Sequence, residues 1–228
     1  MSITRIMMQA AAGVKKGPAI GEAFGGGFYA GNIVEGGTEY YIIVAPKSSG
    51  ESSSKKFKTS QTAAPIATKT LNNGPAASSS MNSADYPAAQ FCEGLTIGGF
   101  SDWYLPARDE LELCYRNLKP TTAANSTGDR SKSSITYPEG NDLLADTMGV
   151  NRNSNPTGAA YTSGTPSQTS VTAFITGGTE AFASPGNYWC SSEFSDTDAW
   201  RQASNGFQGG ITNKDNSLYV RAVRRVPV

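Results

Sequence analysis

The sequence predicts an α+β fold, and three observations carry that expectation. Alternating apolar residues broken by turn signals occur near both ends of the chain, proline-started amphipathic stretches lie between them, and long Ser/Thr/Asn-rich segments separate the two kinds. The layout places one arm at residues 1–17 and one domain at 18–228, with loops over about 48–83 and 119–168.

Residues 1–17 carry Ile3, Ile6, Met7 and Ala10 at helical spacing. A short amphipathic stretch at a chain end is read as an attachment or oligomerisation element. Residues 28–34 and 40–44 read as two strands joined at Glu35, Gly36 and Gly37, the second apolar enough to be central. Gly25, Gly26 and Gly27 are turn or bulge residues, since no P-loop lysine pattern follows them. Residues 48–83 read as a solvated loop with a short edge strand at 64–70. The stretch YPAAQFCEGL then fits a short helix, with Pro87 in the first turn, Phe91 and Leu95 on one face, and Gly94 at the end.

The clearest helix lies within GFSDWYLPARDELELCYRNL, residues 99–118. Pro106 occupies a start position, and Leu111, Cys114 (or Tyr115) and Leu118 form the buried stripe. Asp109, Glu110 and Glu112 are read as a solvated face that complements the helix dipole. Residues 119–168 are long displayed loops with a short helix at 141–148, and 171–176 reads as a strand.

The C-terminal stretch, 187–226, reads as strand, loop, strand, turn, strand. Residues 199–203 and 207–211 flank Ser204, Asn205 and Gly206, where Asn-Gly supplies the backbone angles of a tight hairpin. In residues 218–223, Leu218, Val220 and Ala222 fall on one face and Tyr219, Arg221 and Val223 on the other. The expectation is a three-stranded meander with Tyr188, Trp189, Phe194, Trp200 and Phe207 at its entry and along its first two strands.

Composition narrows the chemistry. The chain has no histidine, which excludes Ser-His-Asp and Cys-His catalysis and His-ligated metals. Net charge is zero, so no global field attracts nucleic acid. Cys92, Cys114 and Cys190 lack a CxxC pair and are expected as buried reduced thiols. Neither a signal peptide nor a membrane span is visible, and charged residues are only 17%. A surface-type composition made in the cytosol points to a particle released by lysis, for which a phage virion is the simplest case.

Two blocks carry a family resemblance. GFSDWYLPARDEL resembles the G-x-x-D-W-R-L-P-[ST]-x-x-E-L signature of the Lcl C-terminal domain family, found in bacterial adhesins and phage tail-fibre and other virion proteins. YWCSSEFSDTDAWRQASNGFQGGITNKDNSLYVRAVR resembles that family's ending, and GEAFGGGFYAG its opening strand. A weaker resemblance is to the variable proteins of diversity-generating retroelements. The resemblance implies a C-type-lectin-like fold, with two helices packed on a small mixed or antiparallel sheet and long loops on one side. Trp103, Leu105, Pro106, Leu111, Trp189 and Val220 would be scaffold, with residues 193–208 bordering the binding face. Tyr104, Ala107 and Cys190 depart from the family pattern, and Ala107 lacks the hydroxyl that could cap the helix. The calcium-dependent sugar motifs of this fold are absent, so no metal or cofactor is expected, Asp196 and Asp198 being a lone D-x-D.

The expected function is a non-enzymatic phage virion adhesin of tail-fibre or fibre-tip type. Tyr188, Glu193, Phe194, Asp196, Asp198, Trp200, Gln202, Asn205 and Phe207 would contact a host-surface glycan or protein. Other virion proteins would be held through residues 1–17, in a homo-oligomer that family habit makes a trimer. The alternative is a virion structural protein, such as a capsid decoration, head fibre or tail-assembly component, using the same fold for packing.

Overall fold

The computed structural model describes residues 17–139 and 147–228. The expected helix at 141–148, apart from Thr147 and Met148, and the expected arm, apart from Gly17, lie outside the described residues; Thr147 forms a β-bridge with Asp129.

In chain order the elements are β1 (Ala23–Phe24), β2 (Gly27–Glu35), β3 (Thr38–Val44), α1 (Lys47–Gly50), β4 (Glu51–Lys56), α2 (Gly74–Ser80), α3 (Pro87–Glu93) and α4 (Arg108–Leu118). These are followed by β5 (Ser154–Asn155), β6 (Asn187–Glu193), β7 (Ala199–Ala203), β8 (Gln208–Gly209), β9 (Ser217–Arg221) and β10 (Val223–Pro227). The protein is α+β, dominated by two sheets. One runs β1-β2-β3-β10 with β5 paired to β2, and the other runs β4-β9-β6-β7-β8.

The hairpins follow their glycines. Gly36 and Gly37 take φ of +58° and +81° between β2 and β3, a left-handed pair that residues with a Cβ adopt only at a cost. Strand β3 is central, between β2 and β10, and its sides serve different cores. Ile42 and Val44 join Ala30, Ile33, Leu111, Cys114, Leu118 and Trp200, whereas Ile43 and Ala45 join Phe57, Trp103, Leu105, Trp189 and Val220. Strand β6 divides likewise, with Tyr188 and Cys190 in the first cluster and Trp189 in the second. Burial on both faces explains why β3 reads as a continuous apolar run.

The alternation in the last stretch also separates the two cores. Leu218, Val220 and Ala222 face the second cluster, while Tyr219 and Val223 face the first. The pairing differs from the expected meander. The stretch breaks at Ala222; β9 lies between β4 and β6, antiparallel to the former and parallel to the latter, and β10 joins β3 in the other sheet. Within this stretch, β6, β7 and β8 run antiparallel in succession. Arginines near the C-terminal end serve the same closure. Arg221 is enclosed between Glu51 and Glu180, and Arg224 grips Asp102 through two nitrogens at 2.7 and 2.9 Å.

Two further expectations are corrected. Residues 48–83 contain β4 and α2, and the stretch expected as an edge strand holds a 3-10 turn at Ile66–Thr68. Residues expected as a strand at 171–176 form a 3-10 turn at Thr172–Phe174, whose Phe174 is packed into the first core. Helix α3 begins with Pro87 and is capped at Gly94.

Helix α4 starts without a capping side chain of its own. Its Ala107 N–H donates to Glu110 Oε2 at 2.8 Å, and distant groups accept the next two amides: Arg108 N–H bonds Ser192 Oγ at 3.1 Å and Asp109 N–H bonds Leu71 O at 2.9 Å. Strand β6 therefore supplies the hydroxyl that Ala107 lacks. The acidic residues of α4 are not a solvated face. Asp109, Glu110 and Glu112 are at most 1% exposed. Asp109 is paired with Arg108 at 2.9 Å, and Asn153 donates to it at 2.8 Å. Glu112 accepts from Arg116, Tyr161 and Asn151 at 2.7–2.9 Å. Burial of a carboxylate is tolerable only with such partners.

Candidate functional site

The region expected to bind a ligand is built on β6 and β7, and most of its aromatic surface points inward. Trp200 is fully enclosed, with its Nε1–H donating to Tyr137 Oη at 2.9 Å. The Phe194 ring stands edge-on to it at 5.0 Å, and the Arg108 guanidinium lies over it at 5.0 Å. Tyr188 is buried between Phe182 and Tyr219, donates to Glu51 Oε2 at 2.9 Å, and accepts from Ala183 N–H at 2.7 Å. Burial first, and then the Glu51 charge, raise the Tyr188 phenol well above its ordinary range. Tyr188, Phe194 and Trp200 are thus core residues, correcting their expected place on a contact face. Tyr188, Phe194 and Trp200 point into the first core cluster, and Trp189 and Ala199 into the second, so the strands are covered on both sides at these positions.

The remaining expected residues separate into two places. Asp196 and Asp198 lie in the connection before β7, and Asn205 and Phe207 lie just beyond its end. A five-residue strand spans about 17 Å, so these pairs belong to opposite ends of the element. Gln202 is buried with Tyr188 along a cavity of about 20 Å³ whose other walls include Leu111, Tyr115 and Phe182. That is room for about one water. Gln202 Oε1, among the described residues, has no hydrogen-bond partner, so a single water suits the space. Asn205 is exposed, and the half-buried Phe207 ring is covered by the Arg201 guanidinium at 5.2 Å.

At the Asp196 end, Glu193 organises a compact surface from beneath. Its side chain is fully buried and pairs with Lys214 at 2.5 Å, itself fully buried. Lys214 Nζ also donates to Thr62 O at 3.1 Å and Asp196 O at 2.7 Å, and Glu193 Oε1 accepts the Ala64 N–H at 2.6 Å. One ion pair therefore ties three segments, residues 57–64, 193–198 and 210–216. Desolvation lowers the Lys214 pKa, opposed by the Glu193 carboxylate. Lys58 reinforces the first segment through Thr62 Oγ1 and Ala63 O, both at 2.6 Å.

Above this pair runs a rim of amides and carboxylates. Gln61 Nε2 donates to both oxygens of Asp215 at 3.1 Å, while Asn213 Nδ2 lies 3.4 Å from both Gln61 Oε1 and Asp198 Oδ1. Ser195 and Thr197 hydroxyls hold Asp198 Oδ2 at 3.0 and 2.7 Å. Asp196, Asn213 and Gln61 are exposed, as is Ile211 beside them. Sequence reasoning found Asp196 and Asp198 but not Gln61, Asn213 or Asp215. Gln61 is far away in the chain, and polar residues in a turn carry no periodic signal.

The scaffold residues sit under these loops. Trp103, Leu105, Leu111, Trp189 and Val220 are buried, and Pro106 O accepts the Ser191 N–H at 2.8 Å. Cys92, Cys114 and Cys190 are buried free thiols, with burial pushing Cys114 up to about 12. Among the described residues no group of three or more Cys, Asp or Glu is placed to hold a metal ion, and no helix is long and apolar enough to cross a membrane. Comparison with protein-family models finds no match, and comparison with curated proteins finds no similar sequence.

Proposed function

We propose that this chain is a non-catalytic C-type-lectin-like binding domain, acting as a phage virion adhesin that contacts a host-surface glycan or protein. The observation that carries the reading is the rim of Gln61, Asp196, Asp198, Asn213 and Asp215, fixed over the buried Glu193–Lys214 pair. Exposed amides and carboxylates on pre-organised loops form directional hydrogen bonds to sugar hydroxyls or a polypeptide while losing little entropy on binding. The antiparallel pairing of β3 with β10 supports the lectin-like part, since it brings the early and the last strands of the described chain together in one sheet. Enclosure of Asp109, Glu110 and Glu112 supports a role without chemistry.

One observation favours a second reading. Burial of Tyr188 and Trp200 removes the aromatic contact area expected of a sugar-binding face. A virion structural protein that uses the domain for packing against other subunits needs no such face.

Binding of labelled full-length protein to intact candidate host cells, beside an N213A/D198A double variant, tests the first reading. Saturable binding lost in a folded double variant supports it. Equal saturable binding by both proteins overturns the rim as the contact site, and no binding by either across a broad host panel directs the reading to the structural alternative.

A further inference from the structure

The chain contains two Asn-Gly pairs, Asn73-Gly74 and Asn205-Gly206. A glycine after asparagine leaves its peptide nitrogen unshielded by a Cβ, so attack of that nitrogen on the asparagine side-chain carbon is sterically open wherever the backbone can reach the geometry. The fold puts the two pairs in contrasting surroundings.

Asn73-Gly74 is locked. Gly74 is buried, the Glu110 carboxylate holds its N–H, and a Cβ at this position would run into Glu110 and Tyr104. Asn73 Nδ2 donates to Glu35 Oε1 at 2.9 Å, Asn73 Oδ1 accepts the Ala76 N–H at 3.3 Å, and its own N–H bonds Thr70 Oγ1 at 3.1 Å.

Asn205-Gly206 lies in the connection between β7 and β8. Asn205 is exposed, while Gly206 takes φ +84° and is buried against the Tyr115 ring. Asn205 Oδ1 accepts the Phe207 N–H at 3.2 Å, which folds the side chain back on the main chain and supports negative charge developing on that oxygen. The Gly206 N–H donates to Ala203 O at 3.0 Å, so the turn must open for its nitrogen to attack. Opening here breaks that one backbone bond and shifts Gly206 off Tyr115, whereas at the start of α2 the Asn73 side chain must leave Glu35 and Ala76 and the Gly74 N–H must leave the buried Glu110 carboxylate.

We propose that Asn205-Gly206 is a self-modifying site, at which the asparagine converts to aspartate and isoaspartate with water as co-reactant, while Asn73-Gly74 stays intact in the native protein. Base removes the Gly206 amide proton, a bond forms between its nitrogen and Cγ of Asn205, and the Cγ–Nδ2 bond breaks to release ammonia. Water then opens the cyclic imide at either carbonyl. The consequence is structural, because Asn205 O accepts the Ser126 N–H at 2.7 Å and so anchors the loop after α4 on the hairpin. Isoaspartate reroutes the main chain through the former side chain, adding a methylene at that anchor, and releases the loop.

The test ages full-length protein at physiological temperature in mildly alkaline buffer and follows both Asn-Gly peptides by mass spectrometry with isoaspartate detection. The expected result is replacement of NH2 by OH at residue 205 with release of ammonia, faster at higher pH, with residue 73 unchanged. Limited proteolysis within residues 121–130 should rise in step. An N205Q variant should show neither change, and a denatured sample should react at both pairs. A native sample unchanged at residue 205 while the denatured one reacts overturns the proposal, as does reaction at residue 73 at a comparable rate.

Discussion

Lys214 and Glu193 form an ion pair at 2.5 Å with both side chains wholly removed from solvent, and the three segments that carry the amide-carboxylate rim are joined through it. Removing one partner leaves an uncompensated buried charge. E193A or K214A should cost about 3–5 kcal/mol, whereas the E193L/K214M double variant should cost less than either. Denaturant unfolding of the four proteins in a double-mutant cycle checks this.

Trp200 is held by Phe194, Arg108 and Tyr137. W200A should therefore lower stability by about 3–5 kcal/mol, and W200F should lower it less, because the ring contact with Phe194 survives while the bond to Tyr137 does not. Thermal and denaturant melts provide the measurement. A W200A protein with unaltered stability would contradict the placement of this ring in the core.

Glu110 makes stability depend on pH in an uncommon direction. Burial pushes its carboxyl up from 4.5 to about 7, against the hydrogen bond from Ala107 and the charge of Arg225. The folded state therefore binds this proton more tightly than the unfolded one. Its contribution to stability is fully present below about 4.5 and is lost as pH rises through about 7. Glu112 is raised as well, again by burial. The unfolding midpoint in denaturant should fall between about pH 5 and pH 8, and E110Q should flatten that slope.

The thiols offer a probe of native packing. Burial raises the pKa of Cys92, Cys114 and Cys190 alike, so the nucleophilic thiolate is scarce. An alkylating reagent should leave all three unmodified in the folded protein and label them together on unfolding. Rapid labelling of a single cysteine under native conditions would contradict the packing described here.

Local signals were readable where residues a few positions apart define the structure. The Gly36-Gly37 and Asn205-Gly206 turns, the Pro87 start of α3, and the Leu111, Cys114 and Leu118 stripe of α4 all belong to this class. Strand β4 and helix α2, spelled ESSSKK and GPAASSS, carry almost no apolar pattern and take their conformation from neighbours. The burial of Glu112 was hidden for a related reason, since its partners Asn151 and Tyr161 lie 39 and 49 positions along the chain. Gln61 and Asn213 are 152 positions apart, so the rim could not be assembled from spacing. An aromatic residue beside a polar turn reads equally well as contact surface or core. Trp200 was resolved only by the layer of α4 and Tyr137 that covers it.

The completion of α4 by Ser192 and Leu71 has a kinetic consequence. A helix that capped itself could form early and wait for its partners. This one leaves amides at its start unpaired until a strand about eighty residues downstream has arrived. Its first turn should consequently be absent from the rate-limiting transition state unless β6 is already docked there. Substitutions at Ser192 should then speed unfolding and slow refolding in the same proportion as substitutions at Glu110, marking helix and strand as one folding unit despite their distance in the chain.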